Sequence, residues 1–258
     1  MSFFGDKMKW KIIGKILILD EKYNNLSKDN LEKLKDKFHV ESIIKIGNIH
    51  GQLREPTVDV LLGDTTETIH KENGCLFKLD ISKVMWSKGN TNERMRIAKL
   101  VGDGEVVLDM FAGIGYFSIP IGVHANPKNI YSIELNPNSY NFLKTNIELN
   151  HINQKAGYEK MVPILGDCRV EVSKYKADRI LMGYVRTTHE FLPSAINSLN
   201  PGGILHYHET VPDKLIDTRP IERIKEVAVN RDVELLNLVK VKKYSPGVSH
   251  IVVDARVE

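Results

Sequence analysis

The chain has 258 residues, of which 42% are hydrophobic and 27% are charged, and its formal net charge is +3 at pH 7. This composition is typical of a soluble globular protein with one large or two modest domains. Apolar runs stay well short of the ~20 residues that a membrane helix needs. The two cysteines, Cys75 and Cys168, exclude a disulfide framework.

The N-terminal stretch "MSFFGDKMKWKIIGKILILD" has lysines within its apolar run and no small-residue cleavage site. We therefore expect no signal peptide. Together with the low cysteine content, this favours the cytoplasm as the location. The small positive charge permits a polyanionic partner but does not demonstrate one.

The first 85 residues predict a small α+β domain. Residues 14–20 read as a strand, and residues 27–38 read as a helix with Ser27 at its N-cap. Residues 40–49 and 57–63 read as strands, and residues 74–87 as a strand or a hairpin.

From residue 91 the pattern changes to strands that alternate with helices. Helices are predicted at 91–101, 115–125, 137–150, 188–200 and 220–230, and strands at 105–111, 128–135, 158–167, 177–185 and 202–211. A final antiparallel strand pair is predicted over 233–257. This alternation indicates an α/β domain, residues 86–258, with a doubly wound and mostly parallel Rossmann-like sheet.

Acidic residues follow three successive strands of this predicted sheet. They are Asp109, Glu134 and Asp167, and the first precedes a glycine turn at Gly113 and Gly115. Ligands of doubly wound sheets bind beyond the carboxyl ends of the strands, and glycines let the backbone approach them. Glu134 is placed to accept bonds from ribose hydroxyls, and Asp167 to accept one from an adenine amino group.

The turn lacks the third glycine of a dinucleotide site, since Ser118 follows Gly115 at that point. Acidic residues without that glycine favour a cationic nucleoside, such as S-adenosylmethionine, over NAD. A plain structural turn with surface acids is the alternative without a ligand.

Several segments together resemble one family of tRNA-modifying enzymes. They are "SKGNTNERMRIA", "VVLDMFAGIGYFSIP", "IYSIELNP", "NIELN" and "GDCR". Over about residues 75–258 the chain is similar to enzymes that modify the guanosine 3′ of the anticodon. One branch comprises tRNA (guanine-N1)-methyltransferases, and the other comprises wybutosine-synthesising 3-amino-3-carboxypropyltransferases. "LMGYVRTTHEFL" and "HYHE" look like the second branch, because the first usually has a proline motif where Met182-Gly183-Tyr184 stands.

The resemblance implies a class I methyltransferase fold and S-adenosylmethionine as the group donor. It places Ser87 and Arg94 in the donor site, where the arginine fork would hold the donor's carboxylate. The full set of expected donor-binding residues is Ser87, Arg94, Asp109, Phe111, Gly113, Gly115, Glu134, Leu135, Asp167, Cys168, Met182 and Gly183.

Three residues are candidates for the acceptor side: Tyr184 to stack on the base, and His208 or Glu209 to accept a proton. His206 and His208 share one strand face, but the spacing places no further ligands around them, so we expect no metal.

The expected acceptor is a wybutosine-precursor base beside the anticodon of tRNA(Phe), with residues 1–85 orienting the anticodon arm. Neither a membrane nor an obligatory protein partner is implied. Two alternatives stay open: guanine-N1 methylation at the same nucleotide, and a non-catalytic nucleoside- or RNA-binding module.

Overall fold

The computed structural model describes residues 9–20, 23, 26–51, 55–86, 88–185 and 187–258, without the side chains of Glu55 and Lys88. The chain divides into two compact units, Met1–Trp86 and Ser87–Glu258. Among the helices within the described ranges, none has the length and apolar character that a membrane span requires.

The first unit contains a four-stranded sheet in the order β1-β2-β3-β4. Helix α1 connects the parallel strands β2 and β3, whereas the other two pairs are antiparallel. Ser27 caps α1 as predicted, since its Oγ accepts the N–H of Asn30 at 3.3 Å. Leu31 and Leu34 pack α1 onto the sheet. These elements are β1 (Trp10–Ile13), β2 (Ile16–Leu19), α1 (Lys28–Phe38), β3 (Ser42–His50) and β4 (Glu55–Leu62).

A separate hairpin completes the first unit and corrects the predicted position of this element. Its strands are β5 (Glu67–Glu72) and β6 (Cys75–Asp80). The sequence predicted a strand or hairpin over 74–87. In the structure β6 pairs instead with β5, which precedes it, and a turn follows the end of β6. Strand β1 was also missed. It turns into β2 at Gly14, where φ is +53° and a Cβ would lie 2.2 Å from Thr68 Oγ1.

The second unit is built on a seven-stranded sheet in the order β12-β13-β11-β10-β7-β8-β9. The strands from β11 to β9 in this order are parallel, and β13 runs antiparallel to both of its neighbours. This confirms the predicted Rossmann-like sheet with an antiparallel final pair. The strands are β7 (Val106–Asp109), β8 (Asn129–Glu134), β9 (Met161–Leu165), β10 (Ala177–Met182), β11 (Leu199–Pro212), β12 (Val233–Ser245) and β13 (Val248–Val257).

Helices connect the parallel strands, as expected for right-handed crossovers. The first of them after β7 starts at Ser118 rather than at the predicted residue 115, because Gly115 has φ +97° and cannot belong to a helix. The helices are α2 (Thr91–Leu100), α3 (Ser118–His124), α4 (Pro137–Leu149), α5 (Ile152–Ala156), α6 (Cys168–Glu171), α7 (Leu192–Ser198) and α8 (Arg219–Val227).

The two faces of the central strands differ in chemistry. Met182 and Tyr207, on the face toward α7 and α8, belong to a large apolar core that includes Leu192 and Ile224. The opposite face, toward α2 and α3, buries Asp109 and two histidines of β11. Because side chains alternate along a strand, the same strands supply apolar residues to one face and polar residues to the other.

Candidate functional site

The turn after β7 has a backbone that only glycine accommodates easily. Gly113 has φ +58°, and a Cβ there would lie 2.4 Å from the Tyr116 ring. Gly115 has φ +97°, and a Cβ there would lie 2.4 Å from Ile119. The turn is fixed from α4, since the buried Asn146 donates its side-chain N–H to the carbonyl of Ile114 at 2.9 Å. The predicted glycine turn is therefore a rigid backbone surface.

Asp109 ends β7 and lies beneath this turn with no exposed surface. Its carboxylate accepts the hydroxyl of Ser118 at 2.7 Å and the backbone N–H of Phe111 at 3.2 Å. Burial raises the pKa of Asp109 to about 6, against the lowering effect of the Ser118 hydrogen bond. A cationic ligand nearby would favour the ionised form of this carboxyl group.

Glu134 ends β8 and joins two neighbouring strand ends. One carboxylate oxygen accepts the N–H of Gly113 at 2.7 Å, and the other accepts the N–H of Asn136 at 2.7 Å. Burial raises its pKa despite these bonds. Each carboxylate oxygen has a second lone pair, so the held carboxylate can still accept two hydroxyls of a ribose. Leu135 follows it and is exposed at the same edge.

Asp167 has a different set of contacts from those that the sequence suggested. It caps α6 through the N–H of Arg169 at 2.9 Å and forms an ion pair with that residue's guanidinium at 2.5 Å. The Arg169 side chain lowers the pKa of Asp167 and also lies 5.5 Å from the ring centroid of Phe191. Cys168 is buried, which raises its thiol pKa to about 12, so it is not a nucleophile.

Arg94 lies in α2 and is only 2% exposed. Its guanidinium carbon is 5.2 Å from the ring centroid of Tyr116, which directly follows the glycine turn. The structure thus brings the predicted carboxylate anchor next to the turn. Ser87, the other residue predicted for this part of the site, lies outside the described residues.

Aromatic rings gather after β10. Tyr184 stacks on Phe111 with a centroid distance of 5.2 Å and an interplanar angle of 22°, and Phe191 meets Phe111 edge-on at 5.0 Å. Met182 is buried in the apolar core toward α7 and α8, against which Phe111 and Phe191 also pack, so its side chain is not available and it offers only backbone groups. A Cβ at Gly183 would lie 3.0 Å from the Phe117 ring.

His208 lies one register position beyond the Met182–Tyr207 pair, beside Gly183. Its ring meets Phe117 edge-on at 5.3 Å, and its Nδ1 is 3.0 Å from Nε2 of His250 on β13. Both histidines are buried. Burial lowers the pKa of His208 well below its usual value and that of His250 to about 4, so both rings are neutral near pH 7.

Glu209, a predicted catalytic group, faces the other side of the sheet. Its carboxylate accepts bonds from Tyr207 at 3.0 Å and from Arg223 at 2.6 Å, and it pairs with Arg219 at 2.6 Å. It has no exposed surface. These contacts give Glu209 a structural role under α8, and we remove it from the catalytic candidates.

A buried ion network was not foreseen from the sequence. Arg96 on α2 binds Glu93 at 2.7 Å and Asp254 of β13 at 2.5 Å. Asp254 also contacts His206 Nδ1 at 2.5 Å, and His206 Nε2 is 2.7 Å from Arg179. Within the described part of the chain, no group of three or more His, Cys, Asp or Glu side chains is arranged to hold a metal.

The structure therefore groups most of the predicted donor-site residues at one edge of the sheet. Several contributors were missed because nothing in their local pattern marked them: Tyr116, Phe117, Ser118, Phe191 and His250. Asn136 had a detectable signal, since it precedes Pro137 at a helix start, and its side chain does cap α4.

Comparison with known proteins agrees with this geometry. Residues 68–236 match the family described as the TRM5/TYW2 methyltransferase domain, and residues 6–66 match the TYW2 N-terminal domain. A Methanocaldococcus jannaschii protein named tRNA(Phe) (4-demethylwyosine(37)-C(7)) aminocarboxypropyltransferase is 45% identical over 97% of this chain and 98% of its own length. A crystal structure of M. jannaschii TYW2 in complex with AdoMet has a TM-score of 0.78 and 41% identity, covering 97% of this chain and 99% of that one.

The second branch is also similar. The tRNA (guanine(37)-N(1))-methyltransferase Trm5b of Pyrococcus abyssi is 40% identical over 83% of this chain and 63% of its own length. A crystal structure of wild-type P. abyssi Trm5b gives a TM-score of 0.83 at 35% identity, covering 97% of this chain and 75% of that one. The fold is thus common to both branches. With a family match over most of its length and relatives of this similarity, the chain belongs to the TRM5/TYW2 family of tRNA-modifying enzymes.

Proposed function

We propose that this protein transfers the 3-amino-3-carboxypropyl group of S-adenosylmethionine to a guanosine-derived tricyclic base in tRNA. The observation that carries this proposal is the 45% identity, along nearly the whole of both chains, to a relative named for that activity. The end of β10 agrees with it, since Met182-Gly183-Tyr184 has no carboxamide or carboxylate side chain that would take a proton from a guanine nitrogen.

The charged side chains at the carboxyl ends of the strands are complementary to the charged groups of the donor. Asp109 and Glu134 supply negative charge around the glycine turn, where a sulfonium and a ribose would lie. Arg94 supplies a buried positive charge beside Tyr116, where it would hold the donor's carboxylate with a two-pronged hydrogen bond. A donor held at both ends would keep its propyl chain, rather than its methyl group, in line with the acceptor.

In the reaction, the electron-rich ring carbon attacks the first carbon of the propyl chain. The carbon–sulfur bond breaks, its electron pair returns to sulfur, and methylthioadenosine leaves. The acceptor carbon then loses its proton, and the ring regains its aromatic electrons. Tyr184, Phe111 and Phe191 form the aromatic surface on which the base would stack.

The acceptor is tRNA. The identity and position of the modified base, and the role of the first unit, are proposed from the activities of the family. The modified base lies beside the anticodon of tRNA(Phe) and leaves its stack to enter the pocket. The first unit, residues 1–85 in the sequence-based division, would orient the anticodon arm. The protein would act in the cytoplasm without an obligatory protein partner.

Methyl transfer to guanine N1 is the second candidate, favoured by the 40% identity to P. abyssi Trm5b. A donor-labelling experiment separates the two. The protein is incubated with tRNA carrying the tricyclic precursor, or with guanosine at that position, and with donor labelled in either the carboxyl or the methyl carbon. We expect carboxyl label in the tricyclic base. Methyl label in guanosine would support the second candidate, and donor binding without any transfer would identify a binding module.

A further inference from the structure

The proposed reaction releases a proton from carbon, and the residues around β10 must account for its removal. Once the new carbon–carbon bond has formed, the acceptor carbon carries both its original hydrogen and the new substituent. The ring is then cationic and a strong acid. Even a weakly basic group in the right place therefore suffices, and a neutral imidazole is such a group.

Few basic atoms at this edge of the sheet remain available for that step. Glu134 holds two backbone N–H groups and would use its remaining lone pairs for the donor's ribose, and Glu209 lies among arginines on the opposite face. Asp109 is held by Ser118 beneath the turn. His206 lies on the same face of β11, but Arg179 and Asp254 contact its two ring nitrogens. Among the described histidines of β11 and β13, this leaves His208 and its partner His250 as candidates.

His208 is placed at the acceptor side by three observations. His208 and Asp109 lie on the same side of the sheet, the side that faces α3. Asp109 accepts a hydrogen bond from Ser118, the first residue of α3, and His208 contacts Phe117, the residue before it. It lies beside Gly183 in the register of β10 and β11. Its ring also contacts Phe117, the same ring that a side chain at position 183 would strike at 3.0 Å. Phe117 therefore packs against both Gly183 and His208, which places the His208 ring next to the end of β10.

We propose that His208 and His250 form a two-imidazole proton acceptor for this reaction. His208 donates its Nδ1–H to Nε2 of His250, across the observed 3.0 Å, which leaves a lone pair on its own Nε2. That nitrogen takes the proton from the acceptor carbon, and the C–H electron pair returns to the ring. His250 is a positioning residue, which fixes the tautomer of His208 and stabilises the cation that forms. The inference rests on the proposed function, and it adds His250, which no sequence motif indicated, to the predicted candidate His208.

The surroundings of the pair suit a transient positive charge. Asp254 on β13 is the nearby acid, whereas Arg96 on α2, Lys242 on β12 and His206 on β11 oppose protonation. The pair is therefore neutral before the reaction, and it returns its proton readily afterwards. A base that remained protonated would block the next turnover.

The test compares single-turnover rates for tRNA that carries hydrogen or deuterium at the acceptor carbon, with carboxyl-labelled donor and enzyme in excess. In the unaltered protein we expect carbon–carbon bond formation to limit the rate, so the two substrates should react equally fast. His208→Asn should lower the rate about 100-fold, in line with the usual contribution of a general base. The deuterated substrate should then react more slowly than the other. His250→Asn should show a smaller loss than His208→Asn, with an isotope effect of the same direction, because the base itself is retained.

Both rates come from the same enzyme stock, so partial unfolding of a variant cancels in their ratio. His206→Asn is the matched buried control, because it disturbs the ion network on the same strand face and should cause no isotope effect. His151→Asn is the exposed control at a left-handed position that Asn tolerates. Equal rates for the two substrates in both His208→Asn and His250→Asn would overturn the inference. Absence of carboxyl label with the unaltered protein would instead overturn the proposed function.

Discussion

Glu134 and Gly113, 21 residues apart in the sequence, are joined by a 2.7 Å hydrogen bond from the glycine N–H to the glutamate carboxylate. This bond links the ends of β7 and β8 and holds the glycine turn against the acid. The same carboxylate accepts the N–H of Asn136, so it is aimed before any ligand arrives. Preorganisation of this kind increases affinity because less order has to be imposed on binding.

Glu134→Ala should weaken the binding of S-adenosylmethionine by about 1.5–3 kcal/mol, or roughly 10- to 150-fold. The loss has two sources. The hydrogen bonds to the ribose are removed, and the glycine turn becomes more flexible because the Gly113 N–H loses its acceptor. Isothermal titration calorimetry measures it, with Glu148→Gln on the exposed face of α4 as the control. Unchanged affinity in the Glu134 variant would contradict a ribose role.

Arg94→Ala should weaken S-adenosylmethionine binding much more than binding of methylthioadenosine. Only the first ligand has a carboxylate for the guanidinium to hold, and a charged hydrogen bond contributes about 1.5–3 kcal/mol. Arg94→Lys should recover part of the loss, since it retains the charge without the fork. Equal losses for both ligands would mean that Arg94 supports the fold around Tyr116 rather than the donor.

Binding of S-adenosylmethionine should weaken as the pH falls through about 6. The pKa of Asp109 is raised to about 6, and its ionised form is the one that attracts a sulfonium. The donor's own amino and carboxyl groups change little between pH 5 and 7. The expected dependence is therefore steeper for S-adenosylmethionine than for the uncharged sulfur of methylthioadenosine, and Asp109→Asn should flatten it. A parallel pH dependence for both ligands in titrations would exclude this role for Asp109.

Arg96→Met should destabilise the protein by about 3 kcal/mol, because Glu93 and Asp254 would remain as buried acids without their cation. Adding Asp254→Asn should restore part of that loss, since one uncompensated charge is removed. Urea unfolding of the single and double variants measures both values. Additive losses in the double variant would show that the two residues act independently.

The local sequence determined the kind of fold and much of the donor edge. Alternating apolar runs and helical patterns predicted the parallel sheet, because each crossover needs a strand followed by a helix. Acids after β7 and β8 were predictable as ligand groups, since strand ends and glycine turns are recognisable from neighbouring residues alone. The resemblance to a family, carried by the same segments, added the transferred group and the tRNA acceptor.

Local pattern failed where a short strand is defined by its pairing with a neighbouring strand rather than by its own residues. Strand β1 was missed because it has only four residues, Trp-Lys-Ile-Ile, which show no alternation, and its pairing with β2 makes it a strand. The hairpin predicted over 74–87 was placed too late because β6 pairs with residues before it.

The roles of the acidic and histidine residues on β11 were decided by the tertiary structure. Glu209 looked equivalent to His208 in "HYHE", yet the alternation of the strand turns the glutamate toward Arg219 and Arg223 and the histidine toward Phe117. Asp167 was likewise predictable as a strand-end acid, but its pairing with Arg169 was not. Residues that act through neighbours 40 or more positions away, such as His208 with His250, acquire their chemistry only when the sheet assembles, because burial and hydrogen bonding set it.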